Sequence, residues 1–429
     1  MKSSKNKKRW MFFTVFALIT ALSFVVFAIP RSSSPYHKLA IFARVLTNIE
    51  RYYVKNVDGE QLIEGAIKGM LRTLDPHSAY LSKDKFRIFN EDTIGNFGGV
   101  GMEVGIKNNV MTVITPIHGS PAEAAGIKPG DQIIKIEGKT TANMTIDESV
   151  MIMRGKIGVE VTLTIRRDGT LSPFDVTMIR ENIRMESVTS KYLEPGFLWI
   201  KLRVFQDNTF DDIRKILIDN TPGNEELKGL LLDMRRNPGG LLEEAIKVSD
   251  LFINSGLLLT TRGRDETQTQ RYKAHRLGTI SDIPIVVLID GATASAAEIV
   301  AGAIQDHGRG LLVGMKSFGK GSVQSIIPLG MGSGLKLTTA LYFTPSGKSI
   351  QAAGIEPDVE IKSKNAPLPD EETKLLQQWP DEKDLPGHIR AVNLSDEKKD
   401  NHIIDDYQLR IAFQILKGTA QIKDSKKRN

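Results

Sequence analysis

Apolar residues run along this chain in several distinct rhythms, and the changes of rhythm mark its parts. Met11 to Ile29 is apolar except for Thr14, Thr20 and Ser23, and Pro30 closes the run. Between 36 and 95, Leu39, Phe42, Leu46, Ile49 and Tyr53 recur at the three- and four-residue spacing of an amphipathic helix. From about Gly95 to Arg180 the pattern changes to short strands separated by glycine turns. From 190 to 360, apolar runs such as Pro284-Ile-Val-Val-Leu-Ile289 alternate with helical patterns, which predicts buried strands in an α/β unit. Leu335 to Phe343 reads as one more long strand, ending at Thr344-Pro-Ser-Gly347. Past Pro357 a charged, proline-containing stretch leads to about Lys399. Ile403 to Lys417 then carries a last helical stripe of Leu409, Ala412, Phe413 and Leu416. The expected parts are therefore 1–30, 36–95, 96–180, 190–360 and a linker with a terminal helix over 361–429.

The first apolar run follows Lys2, Lys5, Lys7, Lys8 and Arg9. It reads as an export signal or a membrane anchor. Its length approaches the roughly 20 residues of a spanning helix, while Val26-Phe-Ala28 supplies a small-residue cleavage site. Basic residues before the run keep the amino terminus in the cytoplasm, so either reading exports the body, in a bacterium to the periplasm or the outer face of the inner membrane. These five residues also account for five of the six net positive charges of the 429-residue chain. The remainder is nearly neutral, and no basic face calls for nucleic acid. Cysteine is absent and the seven histidines are scattered without a His-Glu-x-x-His pair, so no metal or other cofactor is expected.

Candidate chemistry lies at two turns. Ser295 sits in Asp290-Gly-Ala-Thr-Ala-Ser-Ala-Ala-Glu298, between the apolar run and a helix predicted over Ala294 to Gln305. A serine becomes a nucleophile when a base takes its proton, and the positive end of a helix stabilises negative charge developing on a substrate. On local pattern alone Ser295 is equally a capping serine. Lys320 lies in Ser317-Phe-Gly-Lys-Gly-Ser-Val-Gln324, and burial among glycines lowers a lysine pKa toward that of a usable base. The pair reads as a serine–lysine dyad. Gly314-Met-Lys-Ser-Phe-Gly-Lys-Gly321 approaches a phosphate-binding loop, but Gly321 replaces its hydroxyl residue and a strand-like segment follows. Ser317-Phe-Gly-Lys320 also fits a Ser-x-x-Lys pattern that recurs at Ser82–Lys85 and Ser333–Lys336, which makes Ser317 the weaker nucleophile. A third segment, Asp233-Met-Arg-Arg-Asn-Pro-Gly-Gly240, is a strand running into a tight turn whose glycines bring backbone N–H groups close to a ligand.

Together these blocks resemble the three signatures of the carboxyl-terminal processing proteases, tail-specific serine–lysine peptidases. The resemblance covers roughly 36–360. It implies an α/β core of the ClpP/crotonase type, an inserted PDZ domain and a helical amino-terminal region. It also implies Ser295 as nucleophile, Lys320 as general base, Gln324 as the residue orienting the lysine, and an oxyanion hole from Ala296 and a glycine of the turn, Gly240 rather than Gly239. Ala292, Thr293 and Ala297 depart from the family's usual small residues, a small-for-small change. Leu74-Asp-Pro-His-Ser-Ala-Tyr-Leu81 resembles the same family, and His77 is read as a solvent-facing turn residue rather than a base.

Phe97 to Val104 and Gly119 to Ile134 resemble a PDZ domain. Gly99, Val100, Gly101 and Met102 match its carboxylate-binding loop, with Ile146 to Arg154 as the helix lining the groove. Arg154 matches a family arginine that couples peptide binding to the protease core. The expected partners are protein or peptide tails, an adaptor protein, the membrane through the amino-terminal segment, and a second copy through the terminal helices. The competing reading is a tail-binding scaffold with a degenerate core, against which Ser295, Lys320 and Gln324 all stand intact.

Overall fold

A computed structural model describes residues 38–107, 109–219, 227–276, 278–280, 283–362 and 406–428. The expected export segment and most of the charged stretch after Lys362 lie outside the described residues. Among the described residues, no helix is long and apolar enough to cross a membrane. The chain divides into a small unit ending at Leu74 and a large one from Asp75 onward. In the small unit, α1 (Leu39–Tyr52) and α2 (Gly59–Arg72) are helices, the second capped by Asp58 accepting from the Glu60 N–H at 2.9 Å. The predicted stripe is unburied, with Leu39, Phe42 and Tyr53 all exposed.

The large unit opens with β1 (Ala79–Leu81) and α3 (Lys83–Ile94). Helices thus occupy most of 36–95, with the turn at Asp75 and Pro76 and the short strand β1 between them. Next come β2 (Asn96–Gly99), β3 (Met102–Lys107), β4 (Val110–Pro116), β5 (Gln132–Ile136), helix α4 (Ile146–Met153), β6 (Glu160–Arg166), β7 (Phe174–Ile179) and β8 (Glu181–Arg184). Strands β3 to β7 form an antiparallel sheet in sequence order, with β3 at one edge, while β2 pairs with β8. Val113, Ile133, Val161, Leu163 and Ile165 fill this sheet's own small core.

The remaining segments build the larger α/β body. They are β9 (Val188–Glu194), β10 (Phe197–Leu202), α5 (Thr209–Asp219), β11 (Gly229–Asp233), α6 (Leu242–Asp250), β12 (Leu257–Arg262), β13 (Gln270–Lys273), β14 (Ile285–Ile289), α7 (Ala296–Asp306), β15 (Leu311–Gly314), β16 (Ser322–Gly330), β17 (Ser333–Phe343), β18 (Val359–Glu360) and α8 (Tyr407–Arg428). One sheet has the order β9-β10-β11-β14-β15-β18 and is parallel from β10 onward. The second has the order β1-β17-β12-β13, with the hairpin strand β16 also on β17.

The continuous apolar runs are explained by burial on both faces of the parallel sheet. Leu230, Leu232, Ile285, Val287 and Ile289 point to the core under α6 and α7, while Leu231, Val286, Leu288 and Val313 point the other way. That second face is covered by α8, whose Leu409, Ala412, Phe413 and Leu416 are buried against it. The terminal stripe is therefore spent inside the chain. Leu409, Phe413 and Leu416 each contribute about 1.5–3 kcal/mol by leaving water. Arg235 fastens the start of α8, donating to both Asp233 and Asp406 at 2.7 Å.

Candidate active site

At the end of β14 the chain turns sharply into α7, and Ser295 is the residue that takes up the turn. It has φ 57° and ψ −118°, unlike the helical position expected from its sequence. A non-glycine residue there is strained by about 1–3 kcal/mol and persists only when its surroundings hold it. They do so with buried hydrogen bonds. Thr293 Oγ1 donates to the Met234 carbonyl at 3.0 Å and accepts from the Asp290 N–H at 2.9 Å. The Ala294 N–H donates to the Asn237 carbonyl at 2.9 Å, and the Ser295 N–H donates to Glu298 Oε2 at 2.8 Å.

Glu298, fully buried, is the hub. Beside the Ser295 N–H, its carboxylate accepts the Ser317 hydroxyl at 2.5 Å, the Gly319 N–H at 2.7 Å and the Lys320 N–H at 2.9 Å. It thereby ties the serine turn to the lysine loop. Ser317 Oγ also accepts from the Ile355 N–H at 2.7 Å, so both sides of that hydroxyl are committed.

Burial pushes the Lys320 amine pKa down, and Lys336 nearby lowers it further, against the opposing pull of Glu298. Tyr342, almost fully buried, donates its hydroxyl to the Lys320 carbonyl and also meets the Ser295 side chain; burial holds the phenol protonated. Among the described residues no hydrogen bond joins Ser295 Oγ to Lys320 Nζ. Catalytic contacts are often long before substrate binds. Gln324, expected to orient the lysine, instead donates to the Ser322 hydroxyl at 2.9 Å and the Ser322 carbonyl at 3.1 Å. A register irregularity between Val323 and Gln324 accompanies this local contact.

The Pro-Gly-Gly turn lies against the serine. A Cβ on Gly239 would fall 2.7 Å from Ser295 Cβ and 2.9 Å from the Ala296 nitrogen. Gly239 and Gly240 have φ 101° and 139°, open only to glycine at low cost. The Gly239 N–H is taken by Asn237 Oδ1 at 2.9 Å. Among the described residues, the N–H groups of Gly240 and Ala296 donate to nothing.

His77 sits closer to this centre than a solvent-facing turn requires. Half-buried, it has its pKa lowered by desolvation and by Lys320 and Lys336, against Asp75. Asp75 is itself held by the Ser78 hydroxyl and the N–H groups of His77 and Ser78, and by Thr338 on β17. Sequence reasoning also passed over Asn237 and the hub Glu298. The Ser-x-x-Glu spacing of a capping box was a usable signal for the latter.

A second concavity of about 640 Å³ runs along the exposed edge of β3. Its walls are the Gly99–Met102 loop, Ile146, Val150 and Met153 of α4, and, across from them, Arg184, Glu186 and Arg203. The Val100 and Gly101 N–H groups are unpaired among the described residues. Arg154 caps α4, lies over the Phe97 ring at 3.9 Å and pairs with Asp92 of α3 at 2.6 Å. The Asp92 carbonyl in turn accepts from Gln206 Nε2 at 3.1 Å, so a polar chain runs from the groove helix to the α/β body.

A parallel α/β body with a glycine turn facing a serine at a helix start, joined to a grooved antiparallel-sheet domain, has the layout of a serine-type peptidase. Family models agree: residues 197–361 match peptidase family S41, 112–167 a PDZ domain, and 29–85 the amino-terminal domain of the activating protease CtpB. The chain is 44% identical over 393 residues to a carboxy-terminal-processing protease of Bartonella bacilliformis, covering 89% of each. It is 37% identical to the carboxy-terminal processing protease CtpA of Bacillus subtilis, covering 75% of this chain and 67% of that one. A solved putative S41 protease from Bacteroides fragilis shares the fold at 18% identity, with a TM-score of 0.50 over 86% of this chain and 93% of the other. The chain belongs to the carboxy-terminal processing protease family of serine endopeptidases.

Proposed function

We propose that this protein is an exported endopeptidase that captures the carboxyl-terminal tail of a substrate protein in its PDZ groove and cleaves an upstream peptide bond with a Ser295–Lys320 dyad. Ser295 Oγ adds to the scissile carbonyl carbon and its proton passes to the neutral Lys320 amine. The carbonyl electron pair moves onto oxygen, where the N–H groups of Ala296 and Gly240 receive it. The lysine then returns the proton to the departing amine, and water hydrolyses the acyl-enzyme. Gln324 joins the lysine when the site closes on substrate. The observation that best supports this reading is the pair of unpaired N–H groups flanking Ser295, on a turn tied to the lysine loop by one buried carboxylate. Export rests on the apolar segment near the amino terminus, and self-association on the exposed stripe of α1. An adaptor protein is a further expected partner.

Recognition of the tail follows from the groove. The free Val100 and Gly101 N–H groups receive a terminal carboxylate, and the open edge of β3 pairs with the peptide backbone. Amidating the carboxyl end of a cleaved tail peptide should therefore weaken both binding and turnover at least several-fold. Arg154→Ala should reduce turnover more than tail binding, since its link to Asp92 leads away from the groove toward the α/β body. Binding and cleavage assays on the four combinations of enzyme and peptide check both expectations. Cleavage indifferent to amidation removes the tail-specific part of the proposal, and binding without any cleavage by the wild type favours the scaffold.

The base role also fixes a pH dependence. A neutral amine is the active form, and burial lowers its pKa, so single-turnover rates should rise with pH through a midpoint below the roughly 10.4 of a free lysine. A flat profile across the neutral and mildly alkaline range, with chemistry rate-limiting, removes Lys320 as the base.

A further inference from the structure

The Pro-Gly-Gly turn presents two successive glycine N–H groups near Ser295, yet only one is available. The cause is the buried side chain of Asn237, fully enclosed two residues before Gly239. Its Oδ1 accepts the Gly239 N–H at 2.9 Å, and its Nδ2 donates to the Leu202 carbonyl at the end of β10 at 3.0 Å. Its own carbonyl accepts the Ala294 N–H at 2.9 Å, next to the nucleophile. One residue thus fastens the turn to β10, fastens the turn to the serine loop, and turns one glycine N–H inward. The next peptide, held by the Phe205 N–H donating to the Gly239 carbonyl and the Leu241 N–H donating to the Phe205 carbonyl (both 2.8 Å), leaves the Gly240 N–H without an acceptor among the described residues.

We infer that Asn237 is a positioning residue of the oxyanion hole: its carboxamide selects Gly240 as the donating glycine and sets that N–H against Ser295. This assignment rests on the serine-peptidase reading above. It predicts a transition-state effect, because the oxyanion exists only after Ser295 has added to the carbonyl, whereas tail capture occurs in the separate groove domain of the same chain. Removing one oxyanion donor typically costs about 10²–10³ in kcat, and a displaced donor should cost up to the same.

The test compares wild type with Asn237→Ala and Asn237→Asp, using a cleavable tail peptide and a peptidyl aldehyde built on its amino-terminal product. The aldehyde forms a hemiacetal with Ser295 and so mimics the tetrahedral intermediate. Asn237→Ala should lower kcat by about 10²-fold and weaken aldehyde binding by a matching factor, with KM and tail-peptide affinity unchanged. Asn237→Asp supplies a second reading if the alanine variant fails to fold. Protonated, aspartic acid reproduces both bonds of the asparagine; ionised, it faces the Leu202 carbonyl with a like charge. Its kcat relative to wild type should therefore rise as pH falls. Unchanged aldehyde affinity in the alanine variant, or an aspartate-to-wild-type ratio independent of pH, overturns the assignment. A wild type that forms no hemiacetal overturns the peptidase reading along with it.

Discussion

Replacing Ser295 by alanine, or Lys320 by alanine, should each reduce cleavage of a tail peptide to near background while leaving tail binding intact. The two losses should be similar in size, and the double variant should be hardly worse than either. Groups that act as a unit in one step are strongly non-additive, with losses reaching about 10⁶ in kcat in a well-studied serine protease. The geometry separates the two effects on folding. Ser295→Ala removes only a hydroxyl, while the backbone bonds that fix its positive φ come from Glu298, Asn237 and Thr293 and are retained. Lys320→Ala likewise keeps the N–H that binds Glu298 and the carbonyl that meets Tyr342. Thermal unfolding should therefore shift little in either variant. Activity surviving in Ser295→Ala but lost in Ser317→Ala would transfer the nucleophile to Ser317. The committed hydrogen bonds of that hydroxyl to Glu298 and Ile355 argue against this.

Glu298→Ala should be the most damaging substitution for the architecture of the site. Four donors converge on this carboxylate in a region closed to water, and an abandoned buried donor costs about 1–3 kcal/mol. Their sum is comparable with the roughly 5–15 kcal/mol that holds a whole domain folded. The expected result is a large fall in thermal stability together with loss of cleavage. Glu298→Gln should fall between, since an amide offers one accepting oxygen where the carboxylate offers two. Whichever way the amide turns, its NH₂ faces two groups that donate in the native site. Ser317 can rotate to accept, but the Gly319, Ser295 and Lys320 N–H groups cannot. Thermal melts and peptide turnover on both variants check this order; wild-type stability in Glu298→Ala would show that the hub carries no load.

Much of this protein was readable from local pattern. The two-faced apolar runs announced buried strands because both sides of the parallel sheet are covered, and the strand at Ile285–Ile289 falls within the predicted run. The glycine pair in Asn237-Pro-Gly-Gly240 announced a turn at positive φ because other residues resist that conformation. Ser295 and Lys320 stood out because their flanking blocks are unusual. Gln324 is the lysine's partner by resemblance alone; before substrate binds its amide lies on Ser322 beside a register irregularity in β16, a contact no one-dimensional pattern reports.

By itself the sequence determined the buried strands of the α/β body and the glycine turn at Gly239–Gly240, since periodicity and turn chemistry act over a few neighbouring residues, while resemblance of whole motifs singled out Ser295, Lys320 and the Gly99–Met102 loop as candidates. Tertiary structure decided what those segments meet. It spent the stripe of α8 on its own sheet, brought His77 near Lys320, and gathered Ser295, Ser317, Gly319 and Lys320 around one glutamate. It also chose between two adjacent glycines through a buried asparagine side chain. Long-range contacts of this kind depend on which elements the chain folds together, and burial then makes each polar pairing obligatory.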